Sequence, residues 1–506
     1  MSVLTACSGP AFPPGSAYAS HVATRQAGQP AKPLPPVAVT RAPSTADSVL
    51  TDTAAGPLTA GFARTLFTAA PVVVVSGTAT AALTAAEQAA RAAHAPLLLA
   101  AQSSPQAIAA LAASAKALHP VAVLTEGLPV AEAKALAKRL PGVKVVGRAA
   151  ALPATRVPAP LSHVAVLVPA HPGKQGAPVA AVTATAEAAG AAVVGVAGTD
   201  PRADPAAVTT LARLRPDAVV AVGAQFGPAA RLASRISVAE TGRQLPGGGQ
   251  VLFPGRRLVA MYGHPGTPAL GVLGQQDLAA SITRARHLAA EYRPLSRVPV
   301  VPAFEIIATV AEASPGPDGT YSYETPVSEL LPWVRQATAD GLYVVLDLQP
   351  GRASLLSQAE HYQSLLALPD VGLALDAEWK LQPGQKPLRQ IGHVDIGEVN
   401  GVVSWLAALT ARHHLPQKLL VLHQFQLAML SGEQRLDTGH DDLAIVVHMD
   451  GQGTPGVKQG TWDAVTAAAP PRVFFGWKNF LVKDHPMLTP SETMTKTPAP
   501  VMISYQ

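Results

Sequence analysis

An α/β chain in two parts is predicted, with a parallel-sheet region in front and an eight-strand β/α barrel behind. Three observations predict it. The 506 residues exceed what one hydrophobic core usually organises, and 48% apolar against 14% charged residues supply material for two or three cores. The strand candidates are continuous apolar runs, the pattern of strands covered on both faces. Each is followed by a turn of small residues and then, in most cases, a helical stretch, so the strands run parallel.

In chain order, the first feature is Cys7, the single cysteine, which excludes an internal disulfide. Its context, Leu4-Thr5-Ala6-Cys7-Ser8-Gly9, places a Leu and two small residues before the thiol. This resembles a bacterial lipobox. The resemblance implies lipidation of Cys7 and an extracytoplasmic protein anchored to the outer face of the cell membrane. Six residues precede Cys7, so the charged and apolar regions of a signal peptide are expected upstream of this start, or trimmed away. No later run of about 20 uncharged apolar residues offers a membrane span. Gly9 to about Pro43 is rich in Pro and Ala and reads as a flexible tether. Residues 1–45 are therefore lipobox and tether.

Charge divides the chain. Residues 1–250 carry 19 Lys+Arg and 10 Asp+Glu, net +9, whereas the remainder carries 19 and 23, net −4. A basic front half suits an anionic envelope. It holds no basic run and only five aromatics, which excludes nucleic acid as a partner.

Residues 46–255 form the front α/β region, in two units of about 60–150 and 160–250. Pro71–Gly77 is a buried strand, followed by a helix from about Ala81 to Ala93. Strands at Pro96–Ala100 and Val121–Thr125, a helix from about Val130 to Leu140 and a strand at Val143–Gly147 complete the first unit. The pattern restarts at His163–Pro169 and continues through Ala192–Val196 and Ala218–Val222. Such a repeat is Rossmann-like, but no G-x-G-x-x-G follows the first strand, so nucleotide binding has no support. The runs VVVVSG (72–77), HAPLLLA (94–100) and VAVLTEGLPVAEAKALAKRL (121–140) resemble the cell-wall-binding repeat 2 family over about 85 residues. That resemblance implies association with anionic wall polymers.

Residues 256–506 hold eight apolar runs spaced for a strand plus a helix. They are Leu258–Tyr262, Val300–Thr309, Leu342–Leu348, Gly372–Glu378, Leu419–Gln424, Leu443–Asp450, Val473–Lys478 and Val501–Tyr505. Helices at Glu329–Ala339, Glu398–Ala411 and Thr461–Ala467 lie between several of them. Eight units over about 250 residues match the size and rhythm of a TIM barrel. A doubly wound open sheet is the alternative.

In such a barrel, chemistry sits at the carboxyl ends of the strands. Those ends carry Glu305, Asp347, Asp376 and Glu378, His423 and Gln424, His448 and Asp450, Lys478 and Asn479, and Tyr505. An unpaired buried charge costs several kcal/mol, so this concentration points to an open, functional pocket. The sharpest element is LALDAEW (373–379). Side chains two apart on a strand share a face, so Asp376 and Glu378 are both expected inside the barrel. Adjacent carboxylates repel, which raises one pKa and prepares a general acid. An Asp-x-Glu at the end of the fourth strand resembles TIM-barrel glycoside hydrolases of lysozyme and chitinase type. The resemblance implies acid/base cleavage by Glu378 and Asp376, with Glu305 and Asp347 as further catalytic candidates. The alternative is a structural pair held by Arg389 or Lys380.

All five tryptophans follow residue 250, and Trp379 and Trp477 sit at strand ends, where flat rings can carry a sugar face. Trp333, Trp405 and Trp462 read as helix residues packed on the barrel. His264, Gln424, His448, Asp450, Lys478, Asn479 and Tyr505 complete the expected substrate-binding set with His423. The loops at 262–271, 312–325 and 449–456 are Gly/Pro-rich, and the second is expected to shape the cleft or act as a lid. His264, His423, His448 and Asp450 could instead ligate a metal, but no H-x-H or H-E-x-x-H spacing supports this, and no cofactor is expected. A Schiff base on Lys478 is explained away more simply by a salt bridge to Asp450 or Asp376. The expectation is an envelope lipoprotein whose barrel hydrolyses a cell-wall or extracellular polysaccharide. A non-catalytic wall-binding scaffold and a solute-binding lipoprotein are the alternatives.

Overall fold

The computed structural model describes residues 34–100, 102–173 and 176–506. Cys7 and all of the tether before Leu34 lie outside the described residues. No helix among those described is long and apolar enough to cross a membrane.

Residues 257–505 form a closed barrel of eight parallel strands: β1 (Arg257–Gly263), β2 (Val300–Ala311), β3 (Tyr343–Leu348), β4 (Val371–Asp376), β5 (Lys418–His423), β6 (Leu443–Met449), β7 (Phe474–Asn479) and β8 (Met502–Tyr505). Each strand pairs with its chain neighbours, and β8 pairs with β1 to close the ring. Helices flank it, giving a TIM-type barrel. Side-chain caps start several of them: Asp277 accepts from Ala280 N before Leu278–Tyr292, and Thr454 caps Pro455–Ala468 with Pro at the first position.

Alternation along the strands builds two cores. Leu258, Ala260, Val301, Ala303, Tyr343, Val345, Ala374, Leu419, Val421, Ala444, Val446 and Met502 pack together and fill the lumen. The opposite parity, including Phe304, Ile306, Leu346, Leu373, Leu375, Leu420 and Leu422, packs against helix residues such as Val399, Val403 and Leu406. A residue's parity thus states whether it faces the lumen or the helices.

The front strands stand in two four-stranded parallel sheets, separate from the barrel sheet. One takes Leu97–Leu99, Val72–Ser76, Ala122–Glu126 and Lys144–Val146 in spatial order. The other takes Asp47–Leu50, Ala218–Val222, Val164–Pro169 and Ala192–Val196. Asp47–Leu50, which precedes the first unit, pairs with the last strand of the second. A single cluster containing Phe62, Val73, Val166 and Val220 joins the two sheets.

The front region meets the barrel at the amino ends of its strands. Gln417 N donates to Gln250 O at 2.8 Å, and Leu252 N donates to Gln417 Oε1 at 2.9 Å. Arg235 Nε donates to Asp441 Oδ2 at 3.0 Å, and buried Arg202 reaches Asp441 O at 3.3 Å. The segment 245–254, placed with the front region by the sequence division, packs Leu245, Leu252 and Phe253 into the lumen floor.

Candidate functional site

Towards the carboxyl ends, the lumen-facing positions turn polar on all eight strands. Continuing the parity of the apolar lumen leads to Tyr262, Glu305, Asp347, Asp376, His423, His448, Lys478 and Ser504. Glu305, Asp347, His423, His448 and Ser504 are fully buried, while Asp376 and Lys478 retain 3% exposure. Asp450, next after β6, retains 7%.

His423 is the hub. Its Nε2 lies 3.0 Å from Glu305 Oε1 and 3.7 Å from Asp347 Oδ1, and its Nδ1 lies 3.1 Å from Asp450 Oδ2. Burial disfavours the imidazolium, but the Asp450, Asp347 and Glu305 carboxylates outweigh it and hold His423 well above the ordinary histidine range. His448 stacks on it, with ring centroids 5.3 Å apart, and Ser504 Oγ lies 2.9 Å from His448 Nε2. Burial and the charge of His423 keep His448 neutral, well below its ordinary range.

Tyr262 donates to Asp347 Oδ2 at 2.9 Å, and the Lys478 ammonium lies 3.4 Å from the Tyr262 ring centroid. The expected salt bridge of Lys478 to Asp450 or Asp376 is replaced by this cation–π contact. Burial pushes Asp347 up to about 6. Burial and then Asp347 push Asp376 well above the carboxylate range. Asp450 goes the other way: burial raises it, but His423 and Lys478 together bring it below its ordinary value. Glu305 Oε2, Asp450 Oδ1 and His448 Nδ1 lack a hydrogen-bond partner among the described residues.

Strand β4 stops at Asp376, and Ala377–Trp379 form a 3₁₀ turn whose cap is Asp376 Oδ1, accepting from Glu378 N at 3.1 Å. The strand alternation expected to align Glu378 with Asp376 therefore ends at Asp376 itself. Glu378 stands half-buried at the rim instead, with burial and the Asp450 charge pushing its carboxyl up. It lines a groove of about 340 Å³ with Trp379, Leu381 and Pro387–Ile391. Leu388 is 80% exposed there. Lys380 pairs with Glu398 at 2.7 Å, not with Asp376 or Glu378, while Arg389 lines the groove.

Four expected binding residues face away from the lumen. Trp477 is fully buried against Met449, Trp462 and Leu488, and its Nε1 donates to Asn479 Oδ1 at 2.8 Å. Tyr505 bonds the Tyr292 hydroxyl at 2.7 Å on the helix side, and Gln424 donates to Glu433 Oε2 at 2.9 Å. Each occupies the parity opposite to Lys478, Ser504 or His423. His264 is half-buried in the loop after β1, 3.1 Å from Thr325 Oγ1. Among the described residues, no three His, Asp, Glu or Cys side chains are arranged to hold a metal.

The loop expected as a lid is pinned: Ser322–Glu324 pairs antiparallel with the end of β2. Tyr262 and Ser504 went unnoticed in the sequence, although parity from the apolar runs points to both. A cavity of about 520 Å³ lies in the front region between Ala55–Leu66 and Pro105–Lys116, remote from this ring. Comparison with family models, curated proteins and solved structures yields no match.

Proposed function

We propose that the barrel hydrolyses glycosidic bonds of a cell-wall or extracellular polysaccharide, with Glu378 as general acid. The observation that carries this reading is the pairing of a raised, half-exposed carboxyl at the rim with an enclosed carboxylate–histidine cluster directly beneath it. Glycoside cleavage needs a proton for the leaving oxygen and a second carboxylate for the anomeric centre. Trp379 and the apolar lip at Leu388 and Ile391 offer a sugar ring the flat surface that Trp477 does not. The Rossmann-like front region serves as a wall-binding module in this reading. Cys7 anchors the chain, as an envelope lipoprotein, to the outer face of the membrane.

Full enclosure of Glu305, Asp347, His423 and His448 favours a second reading, a non-catalytic carbohydrate-binding scaffold that uses only the rim. Incubation with a panel of wall glycans, followed by assay for new reducing ends, separates the two. Glu378→Gln keeps the side chain's shape and removes its titratable proton. Hydrolysis should fall by about 10² to 10⁴-fold while glycan binding persists. Undiminished turnover in Glu378→Gln removes it as the acid; binding without turnover by the unmodified protein supports the scaffold.

A further inference from the structure

We propose that Arg389 makes the rim groove selective for glycans that carry an anionic group, a carboxylate or a phosphate. This names a substrate class for the site above, and it rests on the sugar-binding reading that hydrolase and scaffold share. The loop after β4, residues 380–393, carries Lys380, Lys386 and Arg389 and no Asp or Glu. Residues 251–506 as a whole are net −4, so this cationic stretch runs against the charge of the barrel half.

The three cations are not equivalent. Lys380 is committed, donating to Glu398 Oε1 at 2.7 Å and to Ala353 O at 2.9 Å. Lys386 is exposed and stands outside the groove wall. Arg389 lines the groove, is exposed, and has no ion pair or side-chain hydrogen bond among the described residues. The other ionisable group of that wall is Glu378. Burial pushes its carboxyl up, and the acid form sets no negative charge against an incoming anion.

The loop is braced, which fixes the backbone that presents Arg389. Gly392 N donates to Glu378 O at 2.7 Å. Only glycine allows that approach, because a Cβ there would collide with the carbonyl oxygens of Ala377, Glu378 and Lys380. At the other end Leu381 N donates to Gly351 O at 2.8 Å, and Arg352 Nη2 donates to Gln385 O at 2.8 Å. Gln390 Nε2 closes the tip on Lys386 O at 2.7 Å. Within this brace Leu388 takes a left-handed backbone, φ +62°, and leaves its side chain 80% exposed. A residue with a Cβ adopts that conformation only at a cost, and the exposed side chain recovers nothing from the fold. A ligand on the groove wall gives the strained lip a purpose. The planar guanidinium fork matches two oxygens of a carboxylate or phosphate, while Trp379, Leu388 and Ile391 supply apolar contact for the ring that bears them.

The test is isothermal titration calorimetry of the full chain with two pairs of probes. One pair is tetragalacturonate and its carboxyl-reduced neutral twin; the other is 6-phosphorylated mannotetraose and mannotetraose. At low salt an anionic probe should bind at least about tenfold more tightly than its twin, the scale of one charge-assisted hydrogen-bonded contact. The pair that shows the gap identifies the group as carboxylate or phosphate. Added salt should narrow the gap. Arg389→Gln should bring the ratio of anionic to neutral affinity close to one, and Arg389→Lys should restore part of it. Equal affinity within both pairs, or no binding of any probe, overturns the inference. So does an anionic preference that survives Arg389→Gln, because the basic front half would then be its source. The reducing-end assay on the glycan panel reports separately on catalysis. Turnover without a charge preference overturns this inference and leaves hydrolysis intact. Arg389-dependent binding without turnover overturns hydrolysis and leaves the inference standing.

Discussion

Lys418 opens β5 at the amino-terminal end of the barrel, fully buried, with its ammonium donating to Leu368 O at 2.6 Å and Val371 O at 2.9 Å. Burial lowers its pKa from 10.5 to about 7, and the nearby Asp370 only partly resists this. An unfolded lysine titrates near 10.4, so between these values the unfolded chain binds the extra proton and stability rises with pH. Below about pH 7 the destabilisation is full, roughly 4–5 kcal/mol; raising the pH from about 6.5 to about 9.5 recovers about 3 kcal/mol. Other groups titrate too: His423 is held high, so its contribution is lost as pH rises through its folded pKa. Comparison with Lys418→Met isolates the lysine. That variant leaves two carbonyls without a donor, a pH-independent loss of about 1–3 kcal/mol each. Denaturant unfolding of both proteins at the two pH values should show wild type gaining about 3 kcal/mol on the variant at the higher pH. Parallel pH dependences would refute the reasoning, because Lys418 would then keep an ordinary proton affinity inside the barrel.

Trp477→Ala should destabilise the protein by about 3–5 kcal/mol through the cavity left beside Trp462, with glycan binding by the folded fraction unchanged. Loss of binding with unchanged melting would restore Trp477 to the site. If Cys7 is lipidated, the precursor expressed in a bacterial host should partition with membranes, and Cys7→Ser should release it; a Cys7→Ser precursor that stays membrane-bound refutes the anchor.

The barrel was legible because its eight strands are apolar runs long enough to stand out individually, and the structure realises all eight near the expected places. Asp47–Leu50 was not legible: four half-buried residues beginning with an Asp give no strand signal, and their partner lies some 170 residues later. At the site, types of residue were easier to read than directions. Glu305, Asp347, Asp376, His423, His448 and Lys478 meet in the lumen, yet Gln424, Trp477, Asn479 and Tyr505 were grouped with them only because they end the same strands. A shift of one residue reverses the face. Counting parity from Val421, Val446 and Met502 separates the two groups without coordinates. Glu378 escaped that count because its strand stops two residues earlier, in a turn that Asp376 itself caps.

The same packing bears on where the barrel begins. A boundary at Gly255 looks natural in the sequence, but the ten residues before it close the lumen floor. Leu245, Leu252 and Phe253 are almost fully buried there. The Arg256 guanidinium is held by the carbonyls of Pro246, Gly248, Val251 and Leu252. A chain starting at Arg256 exposes the floor and leaves that guanidinium, lowered to about 10 by burial, without its acceptors. Losing three buried apolar side chains at roughly 1.5–3 kcal/mol each, together with those hydrogen bonds, should leave it poorly folded. A chain starting at Gln244 keeps the plug and gives up contacts to the front region such as Arg235 to Asp441 and Gln250 Nε2 to Val238 O. It should melt cooperatively. All eight lumen-facing polar residues, Glu378 and Asp450 lie at the far end of the strands, so it should also retain any turnover of the full chain. Calorimetry and the reducing-end assay on the two truncations decide this, and equal melting of both would show that residues 244–255 do not hold the barrel floor closed.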